Sequence, residues 1–510
     1  MPAWNFVVRS AWHDSVTLMG LTRQLEAVPG VRRAAAMMAT PPNRDLLGDA
    51  GLLTTEGAAA GPTDLVIAVL AEDEAAARAA AGAARAALAA RGPTLPGGAG
   101  LSRPRSLASA VARAPEATLA LVSVPGVFAG AEARKALLAG LHVMLFSSHV
   151  PLETEIALKR LARDRGLLLM GPDCGSAIVA GVPLGFVNAV PRGRIGIAAA
   201  SGTGLQEVAC LIAAAGEGVS HAIGVGGRDL SDDVGGLTMQ QALAALADDR
   251  STEVIAVTGK APGAGVARML QAAAGRLDKP CVLHFVGGCP TPGGPAPVVA
   301  TLEDLALAAV ALARGRPPQP VEFTLPAAEI ARLVEGAVDG LAAGQRFVRG
   351  VFAGGTLAAE ARALLQAALT EVAPDLSGGG KGHRIVDLGD EAFTLGRPHP
   401  MIDGTVRREW ILAEARDAST AVLLLDVILG HGAHADPAGE LVPALVTAAA
   451  EARARGGALP MVASVVGTDA DPQRRGAQVA RLREAGVVVM PSSAQAARLA
   501  ARIAARAATR

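Results

Sequence analysis

Tyrosine is missing from the 510-residue sequence altogether, and aromatic residues make up only 2% of it. A phenolic acid, base or nucleophile is therefore excluded, and so is a core built on large rings. There are four cysteines, Cys174, Cys210, Cys281 and Cys289. That is too few for a disulfide scaffold at this length, and none has a C-x-x-C spacing, so reduced thiols in a cytoplasmic protein are expected. Neither sign of charge prevails, since Lys+Arg and Asp+Glu are both 47. Without a basic stretch interleaved with aromatics, nucleic acid is not an expected partner. Strongly apolar runs such as TAVLLLDVILG stop at about ten residues, against the roughly 20 that span a bilayer. Arg9, His13 and Asp14 come too early for a signal peptide, so no membrane association is expected.

What is abundant is small and apolar. Apolar residues reach 51%, much of it alanine, which suits helices packed on parallel sheets. Residues 1–95 read as a small α+β unit, with strands at NFVVRSA, VRRAAAMMAT and TDLVIAVLAED and helices at SVTLMGLTRQLEAVPG and EAAARAAAGAARAAL. The Gly- and Pro-rich stretch 90–106 reads as a linker. From 107 to 190, short apolar runs (ATLALVSVPG, LHVMLFSS, GLLLMGPD) alternate with helical stretches, a Rossmann-like, doubly wound pattern. A third unit spans 192–315. GRPPQP (315–320) marks a boundary, a helix follows near 326–343, and a fourth unit spans 345–510.

The third and fourth units resemble each other. RIGIAAASGTGLQEVACLI and RFVRGVFAGGTLAAEARALL each read as strand, glycine turn with threonine, then a helix carrying Glu207 or Glu360. Further on, LADDRSTEVIAVTGK pairs with AEARDASTAVLLLDV without a gap. Such duplication points to one fold used twice, with related sites at a pseudo-symmetry axis. The first turn of a helix has N–H groups without intrahelical partners and carries a partial positive charge, and glycines let a ligand come close. Ser201, Gly202, Thr203 and Gly204 are thus one candidate phosphate- or carboxylate-binding end, and Gly354, Gly355 and Thr356 are the other. The plain alternative is an N-cap with tight packing.

These motifs carry a family resemblance. SVPGVFAGAEARKALLAGLHVMLFSSHVPLETE, GPDCGSAI, GIAAASGTGLQE and HAIGVGGRDL resemble the α subunit of succinyl-CoA synthetase, and 345–510 resembles the CoA-ligase domain of the β subunit. With RGVFAGGTL, DLGDEAFTLGRPHPMID, LLLDVILGHGAHADPA and GTDADPQ, the whole order is similar to the FdrA family of acyl-CoA synthetase-like proteins. The resemblance implies an α/β fold class. A small N-terminal α+β unit and a Rossmann-like CoA-binding-type domain would be followed by two flavodoxin-like domains of the succinyl-CoA-synthetase type. Two departures bear on mechanism. The synthetases pass phosphate through a histidine in a loop after a strand matching DKPCVLHFVGG, but the following CPTPGGPAPVVATLEDLALAAV has none, and His284 lies inside the strand-like run as a core residue. Nor is there a stretch for an ATP-grasp domain. The cradle left by the missing histidine would suit a free acyl phosphate. The resemblance implies a carbamoyl- or acyl-phosphate transferase, a subunit of an oxamate carbamoyltransferase. The alternatives are an acyl-CoA synthetase component working with a separate ATP-grasp chain, with CoA as a possible cofactor, and a non-catalytic assembly subunit. The expected partners are an acyl or carbamoyl phosphate or a CoA ester, other subunits of a hetero-oligomer, and a second copy of the chain.

Among single residues, LGRPHPMID (395–403) stands out. Arg397 suits a phosphate or carboxylate, His399 could move a proton, and with Asp403 they form the candidate catalytic set; a rigid loop is the alternative. Arg228 and Asp229 hold the corresponding place in the first copy; Gly226, Gly227 and Arg228 join the substrate-binding candidates, as does His431. His431 and His434, with Asp426 or Asp436, fall short of a metal set, so no metal is expected. Lys260, after the strand TEVIAVTG, could contact an anion. Cys174, a turn cysteine without a near histidine or lysine, is expected to be inert.

Overall fold

A computed structural model describes residues 1–11, 13, 15–90, 104–288, 294–379, 381–394 and 398–510. The chain divides into two compact units. One is Met1–Pro115 with Glu391–Asp403, and the other is Glu116–Asp390 with Gly404–Arg510.

The first unit is built on a three-stranded antiparallel sheet with Leu65–Ala71 between Ala3–Val8 and Val31–Met38. LVIAVLA is apolar at every position, so it buries both faces. Ile67 and Val69 pack with Leu18, Leu21 and Leu25 of the helix Ser15–Glu26, and Val66 and Ala68 pack with Leu47 and Leu52.

The second unit holds three sheets. Leu119–Val122, His142–Leu145 and Leu169–Met170 form a small parallel sheet. A seven-stranded sheet places Arg192–Ala200 between Val219–Gly224 and Val254–Lys260, with Cys281–Val286 and Val298–Val299 beyond the latter. A five-stranded sheet places Phe347–Phe352 between Arg384–Asp387 and Thr420–Ile428, with Met461–Val466 and Val487–Met490 beyond. Numbered along the chain, the parallel strands of both larger sheets run 2-1-3-4-5, the flavodoxin-like order. The repeat seen in the sequence is thus a repeat of topology. The hairpin Ser176–Val179/Val182–Gly185 extends the seven-stranded sheet by antiparallel pairing of Ile178 with Ala222.

In each copy the first strand runs directly into a helix, Gly202–Ala214 or Gly355–Ala368, buried over most of its first turns. Burial of that extent needs apolar cover on all sides, and these sequences supply it with Ala, Leu and Val. Among their buried polar residues are Glu207 and Glu360, and each reaches into the other copy. The Glu207 carboxyl accepts the N–H of Ser493 (2.9 Å), the first residue of the helix Ser493–Ala507. The Glu360 carboxyl accepts the N–H of Leu302 (2.7 Å), the first residue of the helix Leu302–Ala313. Thr301 and Ser492 cap the same two helices through the N–H of Asp304 and Gln495. Gln495 Nε2 also donates to Glu303 (2.6 Å).

Burial pushes Glu360 up to about 8, with the charge of Glu207 adding to it, and pushes Glu207 up to about 7. A carboxyl raised in the folded state holds its proton there while the unfolded chain has lost it. Its contribution to stability is full below the ordinary carboxylate range and is lost as pH rises through the folded value. From the ordinary carboxylate range up to about pH 8, Glu360 should therefore remove stability steadily as pH rises, on the order of 1 kcal/mol per pH unit. Glu360→Gln keeps the acceptor for Leu302. It should match the wild type near pH 5, unfold at higher urea near pH 8.5, and flatten the pH dependence. Equal urea midpoints at pH 8.5 would show that Glu360 is not held neutral.

Candidate functional site

The two glycine turns meet. Ser201, extended at φ −161°, caps its helix by accepting the N–H of Gly204 (2.9 Å), and its Oγ lies 2.5 Å from Thr356 Oγ1, 155 residues on in the chain. Both strands that feed these turns lie at the points where their sheets reverse strand order, where open α/β sheets bind ligands. The first-turn N–H groups of Gly202, Thr203, Gly355 and Leu357 have no intrahelical partner by helix geometry. Two positive helix ends thus start side by side, joined by a hydroxyl pair. Gly202 is exposed, Ser201 and Thr203 are half-buried, and Thr356 is buried.

The second start differs from the first in what lies beneath it. Gly354 has no side chain to cap with, and Asp426 does that work from the neighbouring strand. Its two oxygens accept the N–H groups of Ala353 (2.9 Å) and Gly354 (2.7 Å). Arg407, buried like Asp426, donates to Asp426 Oδ1 (3.0 Å) and to the carbonyls of Val351 and Asp426. A Cβ on Gly354 would stand 3.0 Å from Asp426 Oδ2 and 2.9 Å from Ile428, so only glycine admits this approach. Asp387 closes the other side of the turn. Its Oδ1 accepts the N–H of Gly389 (2.9 Å), and its Oδ2 lies 2.4 Å from where a Cβ of Gly355 would be. Burial, with the charge of Asp426 adding and Lys260 opposing, pushes its carboxyl up to about 7.

The remaining candidates are placed as follows. Gly226 has φ +88°, and a Cβ there would stand 2.5 Å from the carbonyl oxygen of Pro172, so close packing against that turn requires glycine. Gly227 is exposed. Arg228 does not stand free for substrate: it pairs with Glu155 (2.8 Å) and donates to the carbonyl of Val150 (2.7 Å). Asp229 accepts from Lys159 (2.6 Å) and from the N–H groups of Thr238 and Met239, a structural role. His431 is exposed, and its N–H donates to Val187 (2.8 Å). Asp436 caps the helix Pro437–Ala454, Asp426 is committed to the Gly354 turn, and His434 lies 3.7 Å from Glu440; no metal-binding group of three is found among the described residues. Cys174 is buried and its thiol is pushed up to about 12, which leaves no thiolate near neutral pH. His284 is buried, bonded through Nδ1 to Thr258 (3.0 Å), and held neutral with a value of about 4 by burial. Arg397 lies outside the described residues. His399 and Asp403 belong to the first unit, while the paired helix starts lie wholly in the second. His399 Nδ1 accepts the N–H of Met401 (3.2 Å), and its carbonyl accepts those of Ile402 and Asp403, which makes this loop a tight turn.

Sequence reasoning missed Asp387 and the capping role of Asp426. An aspartate within the apolar run TAVLLLDVIL, and another at the end of RIVD, were the available signals. A charge inside a buried strand must have a partner.

Residues 351–503 match the family model described as CoA-ligase, and residues 1–102 match one described as AllF, heavy metal-associated domain. Residues 1–102 contain no cysteine and one histidine, so they do not offer the thiolate set that a soft metal ion needs. The chain is 39% identical over 508 residues to the Escherichia coli K12 protein YahF, covering 96% of each. Over 184 residues it is 28% identical to the α subunit of the ADP-forming succinate–CoA ligase of Staphylococcus epidermidis, 35% of this chain and 59% of that subunit. Among solved structures, the dinucleotide-forming acetyl-coenzyme A synthetase 1 of Ca. Korarchaeum cryptofilum aligns with 82% of this chain and 88% of that one, at 17% identity and a TM-score of 0.31. The protein is an acyl-CoA synthetase-like chain of the succinyl-CoA synthetase superfamily. More particularly, it belongs to the family of YahF. Among the described residues, no helix is long and apolar enough to cross a membrane.

Asp426→Ala removes the partner of a buried arginine and the acceptor of two buried N–H groups. Breaking such a pair costs about 3–5 kcal/mol. The variant should show that loss in its urea midpoint, while Asp426→Asn, which keeps an acceptor, should lose less.

Proposed function

We propose that the chain is the acyl-transferring part of an acyl-CoA ligase-like enzyme of the FdrA type, acting on an acyl phosphate whose phosphoryl group rests on the paired helix starts. The observation that carries this reading is the contact of Ser201 with Thr356, which sets two N–H-rich, positively polarised ends beside each other. The CoA-ligase match over 351–503 and the likeness to a succinate–CoA ligase α subunit support CoA as the acceptor. In this reading 192–315 and 345–510 are the two catalytic domains, 107–190 is a reduced nucleotide-fold domain, and 1–95 is accessory. A separate ATP-grasp chain would supply the activated phosphate.

No histidine occurs between the strand Cys281–Val286 and Thr301, so the phosphoryl group has no imidazole to move to there and stays on the substrate. The CoA thiol attacks the acyl carbon, the carbon–oxygen bond to phosphate breaks, and the thiol proton leaves with phosphate or a nearby base. What the protein supplies is stabilisation of charge on the leaving phosphate by fixed N–H and hydroxyl donors. Gly226, Gly227 and His431 are proposed only as contributors to substrate placement. The missing histidine also favours a second reading, transfer of a carbamoyl group from carbamoyl phosphate; the comparisons speak for the CoA reading first.

The test is calorimetry and thioester assay with acetyl phosphate, carbamoyl phosphate and CoA. Acetyl phosphate and CoA should yield a thioester, and Ser201→Ala with Thr356→Val should weaken acyl-phosphate binding by at least about tenfold, from the loss of hydrogen bonds to a charged group. Binding of carbamoyl phosphate without CoA would replace the first reading with the second. Binding of neither phosphate would leave an assembly subunit.

A further inference from the structure

Asp387 stands at the paired helix starts, and the proposed acyl transfer gives it no part. It ends the strand Arg384–Asp387 at the carboxyl edge of the five-stranded sheet, next to the Gly355 turn. It is 6% exposed. Oδ1 is occupied by the N–H of Gly389, while Oδ2 points at the first residue of the helix and has no hydrogen-bond partner among the described residues. A carboxylate serving as a simple cap would accept the N–H of Gly355, and no such bond is formed. The charged groups that act on it are Asp426 from the strand Thr420–Ile428, Asp390 from its own loop, and Lys260 from the strand Val254–Lys260 of the other copy. Burial does most to push its carboxyl up to about 7; Asp426 and Asp390 add to this, and the Gly389 N–H and the exposed Lys260 oppose it. A phosphoryl dianion brought to these N–H groups would add charge of the same sign, and a like charge at short range favours the neutral acid.

Resting on the proposed phosphoryl site, we propose that Asp387 is itself a ligand of the bound phosphoryl group, and that it binds as the neutral acid, with its Oδ2–H donating to a phosphoryl oxygen. Binding at this site is then coupled to uptake of a proton by the protein. The bonding balances: one proton passes from solvent to Asp387, no covalent bond changes, and the proton is returned when phosphate departs.

Titration calorimetry with inorganic phosphate and with sulfate tests this. Sulfate keeps a fixed charge across the range, so any proton taken up with it belongs to the protein. In buffers of different ionisation enthalpy, the wild type should take up close to one proton per sulfate above pH 7. Its affinity should fall by about tenfold per pH unit there. Asp387→Asn, with an amide donor in place of the acid, should bind without proton uptake and with an affinity flat in pH. Gly355→Ala, whose methyl would meet Oδ2 at 2.4 Å, should weaken binding at every pH. Sulfate binding by the wild type without proton uptake, or an unchanged pH slope in Asp387→Asn, overturns the role of Asp387 and leaves the phosphoryl site standing. Failure of both anions to bind the wild type overturns the site and this inference together.

Discussion

A helix that starts inside a protein leaves N–H groups with nothing to bind, and the fold of the second unit turns on how two copies of one domain answer that problem for each other. Glu207 of the first copy closes the start of the last helix of the second, and Glu360 of the second closes the start of the last helix of the first. Neither carboxyl has a reason to be buried within its own domain. Each bond joins a buried carboxyl of one copy to a buried N–H of the other, so the two copies satisfy groups that their shared packing hides from water. The pairing of Ser201 with Thr356 follows from the same arrangement, because the helices that carry the glutamates are the ones that begin at those residues.

The two starts are alike in topology and unlike in charge. The first is capped by a hydroxyl and has open N–H groups beyond it. The second is held from below by Asp426, itself neutralised by Arg407, and is flanked by Asp387. A site with donors on one side and a titratable acid on the other does not simply attract anions. It discriminates by protonation state, which a pair of identical helix ends would not do.

The buried carboxyls also connect stability with function. Asp387, Glu207 and Glu360 are all raised by burial into the range where proteins operate. Their common cause is burial. Burial strengthens the hydrogen bonds these carboxyls make and, by the same physics, makes each ionisation costly.

Much was legible in the sequence. Apolar runs of strand length separated by helical stretches implied parallel sheets, and the matching glycine turns before Glu207 and Glu360 implied one fold used twice, because local patterns of apolar and glycine residues act over a few neighbours. The absence of a loop histidine needed no structure at all. Other features depended on contacts far apart in the chain. Ser201 touching Thr356, Asp426 capping a turn seventy residues before it, and Arg228 turning toward Glu155 arise from strand order and helix packing, which no local pattern encodes. The hairpin at 176–185 looked like part of the preceding β/α series, yet it pairs with Val219–Gly224, since an open sheet edge accepts whichever strand the chain brings alongside. Residue types and their local order determined which elements form and which chemistry is available. Only the packed tertiary structure decided which of those groups share a solvent-poor site, because burial and distance, not residue identity, set the charge that each one carries.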